Sequence, residues 1–154
     1  MGWYFDDTKD SLWGFGIGAF QSNAGATIYY ANRLTESLSF GLSLEALYDD
    51  FKGKGIDEVY CLSVNDSFVM NAWAKEHEIE KVKMIPDGSG EFTRDMDMIV
   101  FKPAQNFGLR SWRYAMIVND MEIEQMIVEP GKNQQGLDDD PYEETKPENI
   151  LSKL

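Results

Sequence analysis

At 154 residues, 43% hydrophobic and 13% aromatic, the chain has the size and composition of one globular domain that can bury its own core, which argues against a disordered segment. A formal charge of −13 and a pI near 4.4 argue against nucleic acid as a partner, since phosphate contact needs clustered Lys and Arg, and against docking on an anionic membrane surface. A single cysteine, Cys61, excludes an internal disulfide and fits a reducing compartment, the cytoplasm.

Residues 1–35 are rich in Gly, Ala, Ser, Asn and aromatics. Trp13–Phe20 (WGFGIGAF) alternates apolar residues with glycine, and Ala26–Ala31 (ATIYYA) has the Thr, Ile and paired Tyr of a short strand. Ser22-Asn23-Ala24-Gly25 supplies turn residues between them, so a β-hairpin is the simplest local reading of this N-terminal β-rich segment. Residues 36–51 are ambiguous. Leu38, Phe40, Leu42, Leu44 and Ala46 alternate with polar residues and Gly41 as in a strand, whereas Phe40, Leu44, Leu47, Tyr48 and Phe51 share one face of a helix. Gly53 and Gly55 punctuate its end.

Glu58–Val64 is an apolar run suited to a buried strand. Asn65 or Asp66 is placed to cap a helix reaching about His77 and lined by Phe68, Met70 and Trp73. Lys81–Ile85 reads as a second strand, Pro86-Asp87-Gly88 as a turn and Gly90–Arg94 as the start of a short helix. Arg113–Val118 and Met121–Val128 form an antiparallel hairpin around Asn119-Asp120. Gly131–Lys146 is polar and acidic, an exposed loop, and Pro147–Leu154 is a final amphipathic helical segment. A β-α-β crossover, expected to be right-handed, then a β-hairpin and a last helix make one α/β domain over 1–154 with a thioredoxin-like fold.

No apolar run approaches the ~20 residues of a membrane helix. The opening MGWYFDDTKDSLWGF lacks the basic start and apolar stretch of a signal peptide. There is no zinc-type Cys/His spacing, Walker A loop or G-x-S-x-G elbow, and the lone His77 cannot seed a histidine metal site. No cofactor is expected.

The blocks Leu47–Gly55 (LYDDFKGKG), Ile56–Trp73 (IDEVYCLSVNDSFVMNAW), Ala74–Thr93, Arg110–Val118 (RSWRYAMIV) and Val128–Gly131 resemble the peroxiredoxins of the peroxiredoxin-5 type. The resemblance implies a thioredoxin fold with a central mixed sheet flanked by helices. It also implies thiol-dependent reduction of hydroperoxides, with a hydroperoxide as substrate, a thiol as reductant and a homodimer as the assembly. Such proteins hold a peroxidatic cysteine in a P-x-x-x-T/S-x-x-C turn at a helix N-terminus, where the macrodipole and an arginine favour the thiolate.

By the resemblance that arginine is Arg113. Counting back without gaps from Leu47 puts the cysteine's place at Glu36, flanked by Thr35 and Ser37, which agree with residues often found there. Arg33 stands where the peroxide-positioning Thr or Ser belongs, and Tyr29-Tyr30-Ala31-Asn32 replaces the Pro-Gly-Ala-Phe lead. Arg113 and Thr35 are therefore the candidate site residues, and Glu36 is a carboxylate that could pair with Arg113. Cys61 matches a second, non-peroxidatic cysteine of the family and is expected to be buried packing. Two classes of function follow: a thiol peroxidase, or a catalytically inactive redoxin-fold scaffold or binding protein. In the second, Trp73, Phe107 and Trp112 are candidates for a dimer surface.

Overall fold

The computed structural model describes residues 26–31, by their backbone, and 43–103, 106–132 and 141–154. Strand β1 (Ala26–Ala31) is followed by a helical turn at 43–46 that runs through Leu47 into α1 (Tyr48–Gly53). The N–H of Leu47 donates to the Ser43 carbonyl at 3.0 Å, so the helical reading of this stretch holds from residue 43. Gly55, at φ +90°, takes the left-handed turn that leads out of α1.

Strand β2 (Ile56–Ser63) is buried on both faces only at its carboxyl end, from Cys61 to Ser63. Helix α2 (Ser67–Glu76) starts at Asp66, whose carboxylate accepts from the Val69 N–H at 2.8 Å and so satisfies one of the free first-turn donors. Met70 is buried and Trp73 packs against the core, but Phe68 is 76% exposed. This corrects the expectation that Phe68 lines the inner face: at 100° per residue it stands about 200° from Met70. Strand β3 (Lys83–Pro86) and the short α3 (Glu91–Asp95) follow.

The sequence reading misses β4 (Ile99–Lys102) and β5 (Gly108–Ser111), an antiparallel pair that forms a small sheet of its own. β6 (Tyr114–Asn119) and β7 (Glu122–Val128) are the expected hairpin. Its two loop residues, Asp120 and Met121, both have positive φ (47° and 67°), as a type I′ turn requires. Helix α4 (Pro147–Lys153) ends the chain, with Pro in its first turn.

The main sheet has the order β3-β2-β1-β6-β7, with β1, β2 and β3 parallel and β6 antiparallel to β1. Both edges of β1 are thus taken. The Trp13–Phe20 half of the expected hairpin lies outside the described residues. One face of the sheet (Val59, Cys61, Ala115, Ile117) packs on Phe51 of α1 and Ile150 of α4. The other (Leu62, Tyr114, Met116) packs on Val100 and Trp112 of the β4–β5 side.

Candidate functional site

In an open α/β sheet, ligands bind outside the carboxyl ends of the parallel strands. Here that end gathers the C-termini of β1, β2 and β3 and the entry to β6. Tyr114 pairs with Ala31, so Arg113 stands one residue beyond the described end of β1, where the chain leaves for 32–42. Thr35, Glu36 and Arg33 belong to that segment and lie outside the described residues.

Arg113 is 3% exposed. Its carbonyl accepts from the Glu129 N–H at 3.1 Å, and its guanidinium carbon is 4.6 Å from the centroid of the Tyr142 ring. Trp112, next door, points to the other face of the sheet, where it is buried and donates its indole N–H to the Glu129 carbonyl at 2.8 Å. That removes Trp112 from the candidates for a dimer surface, while Trp73 and Phe107 are half-buried.

Glu129 is a hub that sequence reasoning missed. It is 1% exposed, yet its Oε1 accepts from the Glu143 N–H (2.9 Å), the Thr145 N–H (2.8 Å) and the Thr145 hydroxyl (2.7 Å). Burial pushes its pKa up, but the Thr145 and neighbouring N–H donors outweigh this and hold the carboxyl below its ordinary range. Glu129 falls within the matched Val128–Gly131 block, a signal of its importance, but no local pattern announces Tyr142.

On the opposite face, Asp87 follows β3 and its buried carboxylate accepts from Phe92 N–H (3.3 Å), Thr93 N–H (2.9 Å) and the Thr93 hydroxyl (2.7 Å), which caps α3. The Tyr114 hydroxyl is buried without a hydrogen-bond partner, and burial, with the Asp87 charge, raises its pKa, so it stays a neutral phenol.

Cys61 is far from this chemistry. It sits mid-strand in β2 between Tyr30 of β1 and Met84 of β3, 1% exposed, and burial pushes its thiol pKa up to about 12. Its row runs through Tyr30 to Ala115, so it is two strand spacings, ~10 Å, from β6, and Arg113 is two residues further along. The expectation of a buried packing residue holds. Among the described residues no cluster of His, Cys, Asp and Glu is suited to a metal ion, and no helix is long and apolar enough to cross a membrane.

The redoxin family pattern matches residues 36–145. A peroxiredoxin of Sinorhizobium fredii, y4vD, is 56% identical over 110 residues, which is 71% of this chain and 58% of that protein. The reduced Prx3 of Vibrio vulnificus in complex with hydrogen peroxide superposes with a TM-score of 0.73 at 31% identity, covering 84% of this chain and 82% of that one. Peroxiredoxin 5 of Alvinella pompejana gives a TM-score of 0.63 at 32% identity, covering 73% and 75% of the two chains. The chain spans about three fifths of the length of the curated relatives it matches. With the β3-β2-β1-β6-β7 sheet and Arg113 at its carboxyl end, these matches make the chain a member of the redoxin family, a peroxiredoxin of the thioredoxin fold.

Proposed function

We propose that this chain is a peroxiredoxin scaffold that keeps the arginine end of the fold without a working thiol, and acts by binding and not by turnover. The observation that carries this reading is the place of Cys61 in the core. A thiol peroxidase needs a thiolate that attacks the O–O bond while a cation polarises it, with the reacting atoms ~3–3.5 Å apart. Burial pushes the Cys61 pKa up to about 12, so at pH 7 it is a thiol and not the thiolate nucleophile. Its side chain also belongs to an apolar cluster with Val59, Ala115 and Ile117.

The ligand class that fits the proposal is a hydroperoxide, whose oxygen would accept from the Arg113 guanidinium, and the partner is a second copy of the chain. Sedimentation equilibrium tests the dimer, and a monomer at micromolar concentration would remove it. The second reading, the family's thiol-dependent hydroperoxide reduction, is favoured by the position of Arg113 beside the end of β1.

Peroxide consumption with dithiothreitol, wild type beside Cys61→Ser, separates the two. The expected result is no consumption above buffer in either. Turnover in the wild type that the substitution abolishes would make Cys61 a nucleophile and overturn the scaffold reading.

A further inference from the structure

We propose that Tyr142 is a positioning residue for Arg113, and that the Glu129 carboxylate holds it there by gripping the backbone of 143–145. The inference rests on the reading of Arg113 as the group that faces the ligand, but its test needs no ligand and no turnover.

An arginine side chain has many rotamers to lose, and a ring on one face of the guanidinium removes most of them. Tyr142 supplies that ring at 4.6 Å, close enough for a desolvated cation–π contact. Tyr142 enters from the stretch between residues 133–140 and α4, and Glu129 ties that stretch to the sheet. Its Oε1 takes three hydrogen bonds from residues 143 and 145, all to an ionised acceptor and so stronger than neutral ones. The backbone of Glu129 meanwhile pairs with Arg113 and receives the Trp112 indole. One residue therefore fixes both the arginine's main chain and the aromatic that covers its head.

The other charged groups on the strap face outward in pairs. Glu143 pairs with Lys146 at 2.8 Å and Glu144 with Lys153 at 3.0 Å, while Lys146 also lies 6.0 Å from the Tyr142 ring centre. Arg113 is the cation on the sheet side. Glu129 is the buried carboxylate of the set, and its folded pKa is depressed. The strap is therefore fully held above the ordinary glutamate range and is released as pH falls through the lower folded value.

The test is NMR of the Arg113 side-chain δ and ε protons, which the Tyr142 ring current moves upfield. In the wild type the upfield shift is present at pH 7 and collapses on acid titration while core methyl signals remain native. Tyr142→Phe keeps the shift and Tyr142→Leu loses it. Glu129→Gln, whose amide oxygen can take the same three donors, keeps the shift and makes it independent of pH. A wild-type shift no different from that of Tyr142→Leu overturns the positioning role. A Glu129→Gln titration that matches the wild type assigns the pH response to Glu143 or Glu144 and overturns the Glu129 grip. Peroxide turnover, or its absence, moves none of these readouts, so the scaffold reading and this one fail separately.

Discussion

Replacing Lys102 with Met should make the protein more stable. Lys102 closes β4, is 4% exposed, and its ammonium has no hydrogen-bond partner among the described residues. Among the described residues its compensation is the Trp112 ring, 5.2 Å from Nζ. Taking an ammonium out of water costs several kcal/mol even after the protein relaxes. A desolvated cation–π contact returns about 2 kcal/mol. Met keeps the length and nearly the volume of the buried stem, adds no unsatisfied donor and opens no cavity.

Swaps of buried ion pairs for well-packed apolar groups are often neutral or gain about 1–4 kcal/mol; with no partner anion lost among the described residues, ~2 kcal/mol is the expected gain. With a urea m-value of ~2 kcal/mol/M, the midpoint should rise by ~1 M. Urea unfolding followed by tryptophan fluorescence at pH 7 reads this directly. A midpoint equal to or below the wild type would mean that the ammonium is already compensated, and the reasoning from its isolation would be wrong.

Cys61 should resist alkylation in the native state and react on unfolding, because its thiol is enclosed and its pKa is pushed up to about 12. Fast labelling by iodoacetamide in native buffer would contradict that burial. Asp87→Ala should cost about 1–3 kcal/mol, since it strips a shared acceptor from Phe92 N–H, Thr93 N–H and the Thr93 hydroxyl. An unchanged urea midpoint would show that α3 does not depend on that cap.

The elements that could be read from the sequence are those whose cause is local. Asp66 before an apolar stretch announces the start of α2, and the carboxylate does accept from Val69. The β6–β7 hairpin is visible from two β-rich runs and a polar turn, although Asp120 and Met121 supply its positive φ values without a glycine. What escaped depends on partners distant in sequence. Ala26–Ala31 is a strand, but that its edges belong to β2 and β6 is decided by pairing with Ile56–Ser63 and Tyr114–Asn119. Strands β4 and β5 have four residues each, too short for a period to register.

The same division runs through the site. Arg113 is legible as a candidate because it lies in a long matched block, and the structure buries it at the entry to β6. The groups that hold it, Glu129 and Tyr142, act across folds of the chain that no local pattern encodes. The sheet is held by apolar faces in which Cys61 is only another small side chain, so the fold does not depend on a reactive thiol. Arg113, its backbone pairing with Glu129 and its Tyr142 cover are likewise held by contacts in which no thiol takes part.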